Sequence, residues 1–294
     1  MKKIFLASVL AFALASNAGA EVLSNERITV EIDKDGSLLS LINNITGQNY
    51  ATGGYLWRLY YDCPEEKEIQ VSADGQSPSL SLEDNAIVLN YEKIRSRGQV
   101  LNMSLTLRVI LEEDKVRFSC RMSNDTPHTV IREFQYPLVR GIRFPKDHKL
   151  FTSEAGGKLF SDPVKEVNKL AASPYKKPEQ FFRQKDVKYG AKVFMNCFAL
   201  IGKDQGLYFG SHDDSFQDTW HGMRVYKDKK GRFTQLECGF YKYPHCFCGE
   251  SWECSANVVS PYNGTWHNAS RMAGRVTPNS FARTDSRMGW AQAN

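Results

Sequence analysis

Alternating apolar and polar positions dominate this chain. Residues 27–32 (RITVEI) alternate, Asp33-Lys34-Asp35-Gly36 makes a polar turn, residues 38–42 resume the apolar run, and 43–47 turn again. Two strand-rich runs joined by an Asp- and Gly-rich connector predict a hairpin. Residues 55–61 are aromatic and strand-like, and 86–91 alternate. Residues 100–111 and 115–123 form a long pair joined by Glu112-Glu113-Asp114, the clearest hairpin in the chain, and 130–139 follow. Strand patterns return at 192–201, 206–210, 222–226, 233–240 and 253–259.

Two stretches break this pattern. Residues 151–186 are rich in Lys, Pro, Ser and Gly with little periodicity, so a long excursion from the sheets is expected there. Residues 271–294 show neither strand alternation nor a helical stripe. No long run has helical periodicity, and no solenoid or propeller repeat is evident. Many strands and almost no helices predict an all-β fold, a large antiparallel two-sheet sandwich.

The first twenty residues lie outside this pattern. Lys2 and Lys3 precede an apolar run over residues 4–14, and Ala18-Gly19-Ala20 has the small-x-small form of a cleavage site. The run is shorter than the ~20 residues a bilayer span needs, and no later stretch is long and apolar enough. The expected organisation is a signal peptide at 1–20, a β-domain at 21–262 and a poorly ordered tail at 263–294, in a protein exported to the periplasm or beyond. The formal net charge is +5, of which Lys2 and Lys3 supply two units. The remainder is spread along the chain, so a nucleic-acid partner is not expected.

Seven cysteines are present. An oxidising compartment permits disulfides, and an odd count leaves at least one thiol over. A chain this long can bury its own core, so few bridges are expected. Cys120 and Cys197 sit within strand-like runs and read as small buried apolar residues.

The densest candidate chemistry is GSHDDSFQDTWH at 210–221, following a strand-like run. His212, Asp213, Asp214 and His221 put imidazoles beside carboxylates, which suits proton transfer or hydrogen bonding to sugar hydroxyls. Trp220 offers a flat apolar face for the C–H surface of a sugar ring. A solvated turn is the structural alternative. A second cluster holds His245, Cys246, Cys248, Glu250, Cys254 and Cys238. Zinc uses such ligands, but the C-x-C spacing has no C-x₂-C partner, and a cysteine-bearing loop is the preferred reading. Trp266 and His267 close a third segment, for which packing against the sandwich is expected. No nucleotide loop, nucleophile elbow or metalloprotease motif occurs. No metal and no cofactor is expected. Glu154, Glu237, Glu250, Glu253, Asp213 and Asp214 are available as glycosidase carboxylates, but no motif pairs them.

Three segments together carry a resemblance: LSNERITVEIDKDGSLLSLINNITGQNY, GLYFGSHDDSFQDT and GESWECSANVVSPYNGTWHNASR. Over about residues 23–271 the chain resembles the N-terminal half of large secreted bacterial proteins related to glycoside hydrolases. Those proteins begin with a galactose-mutarotase-like β-supersandwich and continue into a (β/α)₈ barrel. The run Tyr262-Asn263-Gly264-Thr265-Trp266-His267 is its most specific part. The resemblance implies a carbohydrate-binding or scaffold supersandwich whose catalytic barrel is missing, with a barrel domain or another glycan-degrading protein as further partner. A sugar epimerase or lyase using a His–carboxylate pair in the sandwich cleft is the alternative. Mutarotase enzymes use a His acid and a Glu base, which no motif maps onto this chain, so the catalytic residues stay unassigned. His212, Asp213, Asp214, Trp220 and His221 are the expected substrate-binding residues.

Overall fold

The computed structural model describes residues 19–154, 156–170, 182–189, 193–213, 215, 217–228 and 230–274. The described chain opens with β1 (Ala20–Ser24), β2 (Ile28–Asp33), β3 (Leu38–Asn43) and β4 (Gln48–Asn49). Then come β5 (Arg58–Asp62), β6 (Ile69–Ser72), β7 (Ser79–Glu83), β8 (Ala86–Tyr91), β9 (Ile94–Ser96) and β10 (Gln99–Leu101). The long hairpin is β11 (Met103–Leu111) with β12 (Val116–Asn124), and β13 (Val130–Val139) follows. Next are β14 (Lys149–Glu154), β15 (Lys158–Phe160) and helix α1 (Pro163–Leu170). The last strands are β16 (Phe182–Lys188), β17 (Val193–Ile201), β18 (Gln205–Ser211), β19 (Thr219–Lys227), β20 (Phe233–Lys242), β21 (Cys246–Phe247) and β22 (Glu250–Asn263), before helix α2 (Trp266–Gly274).

Two large antiparallel sheets face each other. One has nine strands in the order β15-β14-β17-β18-β22-β12-β11-β8-β7. The other has seven, β16-β19-β20-β13-β5-β6, with β21 attached to β13. Alternation builds the shared interior. In β11 every second residue, Met103, Leu105, Leu107 and Val109, is buried while Ser104, Thr106 and Arg108 are more exposed. Leu59, Tyr61, Phe134, Met223, Val225, Leu236 and Phe240 answer from the seven-stranded sheet in the same core. Ring contacts cross between the sheets: Phe118 meets Tyr136 edge-on at 5.8 Å, and Phe198 meets Phe240 at 5.6 Å. The first hairpin adds Val30, Ile32 and Leu41 to this core.

The two unpatterned stretches contain more structure than their composition predicts. Within 151–186 the chain forms β14, β15, α1 and β16 instead of one long excursion; residues 171–181 lie outside the described set. β14 is hidden by its ends: Leu150 and Thr152 are buried against β17, but flanking lysines dilute the alternation. β15 and β16 are edge strands, and β16 reads FRQKDVK. Charged edge strands resist pairing with other chains, which erases their apolar signature. Residues 266–274, inside the stretch expected to be a poorly ordered tail, form α2, whose Ala269 packs with Tyr208, Val258 and Tyr262. Trp266 packs on Phe151 with ring centres 4.8 Å apart and the rings tilted by 53°. Residues 1–18 and 275–294, which hold most of the expected signal peptide and tail, lie outside the described residues.

A polar staple also crosses between the sheets. Lys242, fully buried on β20, donates from Nζ to Thr219 Oγ1 at 2.6 Å, Ser255 Oγ at 2.8 Å, Ser211 Oγ at 3.0 Å and Asp213 Oδ2 at 3.5 Å. Ser211 and Ser255 belong to the nine-stranded sheet; Thr219 and Lys242 belong to the seven-stranded one. Removing one member of a buried ion pair strands the other's charge. Lys242→Met is therefore expected to cost about 3–5 kcal/mol, read as a lower urea midpoint at unchanged slope. A change within about 0.5 kcal/mol, the range of ordinary surface substitutions, refutes the staple.

Candidate functional site

The same alternation that fills the core sends every other residue of the seven-stranded sheet to its opposite face. On β5, Leu59 and Tyr61 join the core while Arg58, Tyr60 and Asp62 take the other side. On β19, Met223 and Val225 point inward and Trp220, Arg224 and Tyr226 outward; on β20, Leu236 and Cys238 flank the outward Glu237. β13 adds Gln135, the register partner of Arg58 on one side and Tyr241 on the other.

These outward side chains form a buried polar network. The Arg58 side chain has 0% exposure and that of Glu237 1%. Arg58 Nη2 donates to Tyr55 Oη at 2.8 Å, Tyr226 Oη at 2.9 Å, and Glu237 Oε1 and Oε2 at 3.1 and 3.2 Å, while Nη1 donates to Gln135 Oε1. Tyr226 donates its own proton to Glu237 Oε2 at 3.0 Å. The amide of Gln135 reaches on to Glu133. Arg140 covers the Tyr226 ring at 4.2 Å and the Tyr55 ring at 5.1 Å, and Arg224 donates to Tyr60 Oη at 3.0 Å. Burial works against the Arg58 charge, but Glu237 and the surrounding phenols outweigh it and raise its pKa further. Burial, then the charge of Glu237, push the Tyr226 phenol well above its usual range. The network thus keeps a charged guanidinium and neutral phenols in a region shut off from water.

A cavity of about 600 Å³ opens beside this network. Tyr60, Asp62, Glu133, Gln135 and Arg224 line it from the sheet, and Glu68, Tyr243 and His245 from the loops. Lys67 and Arg132 also border it, each 3.8 Å from Asp62 Oδ2. Four non-glycine residues among those described have left-handed φ, and two of them, Glu68 at 56° and His245 at 47°, are on this wall. Such strain gathers where side chains must be aimed at something. The arrangement supplies hydroxyl, amide, carboxylate and guanidinium groups beside aromatic faces, which is the chemistry that hydrogen-bonds and stacks a polyhydroxylated ring.

The residues singled out by sequence do not converge on one point. His221 turns inward, among Phe198 and Phe240 with ring centres at 5.2 and 5.7 Å, its Nε2 3.1 Å from Asn196 Oδ1. Its chain neighbour Trp220 faces the other way and packs on Tyr243, a cavity residue, at 5.8 Å. His212 follows the end of β18, with Nε2 3.3 Å from Tyr208 Oη, and Asp213 faces the Lys242 staple. Asp214 lies outside the described residues. Neither His212 nor His221 lines the cavity; His245 does. Cys238 and Cys254 are core residues and Cys248 is exposed, and no group of three metal-ligating side chains occurs among the described residues. Arg58, Tyr60, Gln135, Arg224 and Tyr243 were not anticipated as site residues, and Glu237 only as an unpaired carboxylate. For Arg58, Tyr60, Gln135, Arg224 and Glu237 the signal was polar and aromatic residues alternating with apolar ones such as Leu59, Tyr61, Met223, Val225, Leu236 and Cys238.

No family model and no curated protein sequence matches the chain. Solved structures do. The α-N-acetylgalactosaminidase NagBb of Bifidobacterium bifidum superposes with a TM-score of 0.55 at 8% identity, over 92% of this chain and 39% of that one. A galactose mutarotase related enzyme from Lactobacillus acidophilus gives 0.53 at 8% identity, over 84% of this chain and 98% of that one. An α-mannosidase from Enterococcus faecalis gives 0.50 at 10% identity, over 87% and 30%. The chain thus has a galactose-mutarotase-like fold, and it spans about two fifths of the length of the first glycosidase.

Two outcomes follow from this geometry. Glu237→Gln leaves Arg58 buried without its counter-charge and is expected to destabilise by about 3–5 kcal/mol; combining it with Arg58→Met should recover part of that loss. Strict additivity in urea melts would show that the two side chains are not coupled. The second outcome concerns His221, whose pKa burial lowers from 6.5 to about 3. The unfolded chain takes a proton near pH 6.5 that the folded protein refuses until about 3, so stability is full above that window and is lost as the pH falls through it. His221→Gln is expected to flatten this acid limb, and an unchanged slope between pH 6.5 and 3 would count against it.

Proposed function

We propose that this chain is a carbohydrate-binding domain of an exported, glycan-processing protein, with the ligand seated in the cavity beside the Arg58–Glu237 network. One observation carries the reading: a sheet face that holds a fully buried ion pair and a shell of phenols opens onto a cavity of about 600 Å³. Buried charge is costly, and perturbed ionisable groups beside a cleft mark functional sites more often than chance. The lining residues offer both donors and acceptors, as a sugar's hydroxyls require. Trp220 is assigned to the rim, where it supports Tyr243. His212, Asp213 and His221 are read as structural.

The fold supports the same reading, since it recurs in a mutarotase-related enzyme and as part of larger glycosidases. In this proposal the domain acts as the non-catalytic companion of a hydrolytic module. The catalytic alternative keeps one specific support. His245, Glu133, Glu68 and Asp62 border a single cavity, so an imidazole and a carboxylate could address one bound sugar.

Calorimetric titration of the purified chain with mono- and oligosaccharides tests the proposal. At least one is expected to bind, and Tyr243→Ala or Glu133→Gln should weaken it about tenfold, the value of one to two lost contacts. The urea midpoint should move little. Binding that survives both substitutions, or a folded protein that binds no sugar, refutes this site. Polarimetry on fresh α-galactose and α-glucose separates the two readings: faster mutarotation lost in His245→Ala selects the enzyme.

A further inference from the structure

Cys120 on β12 and Cys254 on β22 are direct register partners on neighbouring antiparallel strands. Residues opposed in this way have Cα atoms about 4.5 or 5.5 Å apart, and both spacings fall within the roughly 4.4–6.8 Å that a disulfide spans. Both side chains belong to the core, each 3% exposed. The other strand cysteines have no such partner: Cys197, Cys238 and Cys246 oppose Gly210, Met223 and Ile131.

The Lys242 staple lies beside this pair. Its Nζ is 2.8 Å from Ser255 Oγ, on the residue after Cys254. In the folded chain burial opposes a Cys254 thiolate, but the neighbouring Cys120 thiol and the Lys242 charge outweigh it and hold this thiol below the usual cysteine value. Burial keeps Cys120 far above that value.

We propose that Cys120 and Cys254 are an oxidation site, closed into a disulfide between β12 and β22 by exchange with a small organic disulfide. One of the two cysteines, as its thiolate, attacks one sulfur of the reagent, forms a mixed disulfide and expels one reagent thiolate. The other cysteine then loses its proton to the medium and attacks the protein sulfur of that mixed disulfide. The Cys120–Cys254 bond forms and the second reagent thiolate leaves. The protein gives up two electrons and two protons, and the organic disulfide leaves as two thiols. Because both sulfurs are buried in the folded chain, exchange proceeds while the strands are still pairing. The bond ties β22, which lies between β18 and β12 in the nine-stranded sheet, to the early β11–β12 hairpin. Bridges that close long loops constrain the unfolded chain most.

The test uses the full chain, reduced and unfolded, then refolded with a mixture of oxidised and reduced glutathione. Acid quenching, alkylation under denaturing conditions and peptide mapping are expected to show one cross-linked peptide pair, Cys120 with Cys254, and the other five cysteines alkylated. A phosphine reductant should lower the melting midpoint of this product by roughly 5–10 °C, and Cys120→Ala should abolish that shift. Soluble folded protein in which Cys120 and Cys254 are both alkylated overturns the proposal. So does a bridge from Cys254 to Cys238 or Cys246. The map is read on the unsubstituted chain, so it stands even where Cys120→Ala folds poorly.

Discussion

A guanidinium removed from water loses hydration worth many kcal/mol, and only matched partners can replace it. Arg58 finds its partners on three other strands and a loop: Gln135 on β13, Glu237 on β20, Tyr226 on β19, and Tyr55 just before β5. Those strands must hold one register for the fork to be satisfied. Gln135 faces Arg58, and Arg224 faces Glu237, only in the pairing observed. A slip of one residue would turn each polar chain into the core and each core residue outward. The ion pair therefore constrains the four strands β19, β20, β13 and β5 at the centre of the seven-stranded sheet, which also carry most of the cavity wall.

Lys242 does for the space between the sheets what Arg58 does for one face. Its four oxygen partners come from both layers and from the β18–β19 connection. An apolar core tolerates small sliding of one sheet over the other, because dispersion contacts are non-directional. Four directed hydrogen bonds do not. The outward face can then present groups in fixed positions, since the layer beneath it cannot drift.

How much of this was legible depends on where each feature's signal is stored. The β11–β12 hairpin was readable because both strands are long, alternate strictly and meet at an acidic turn. The edge strand β16 was not, because charges that protect an edge look like loop composition. Helix α2 is short and gains its order from contacts with Phe151, Tyr208 and Val258, which no local pattern reveals. The residues of the candidate cavity carry no such local signal. Local density drew attention to 210–221, yet the two-residue period of β19 sends Trp220 and His221 to opposite faces. Arg58 and Glu237 are far apart in the chain, and only strand pairing brings them to 3.1 Å.

The two faces of the seven-stranded sheet also explain why its polar residues escaped notice. Strands buried on both faces usually read as continuous apolar runs. Here β5 (RLYYD) and β20 (FTQLECGFYK) are covered on both faces over much of their length, yet they still alternate as if one side met water. The contradiction resolves once the covering layer is polar itself: Tyr55, Arg140 and Tyr226 shield the Arg58–Glu237 pair without making its surroundings apolar. An alternating strand whose polar residues are nonetheless buried is therefore the mark of a sheet face that shelters charge, and here that shelter opens toward the cavity between Tyr60, Glu133 and Tyr243.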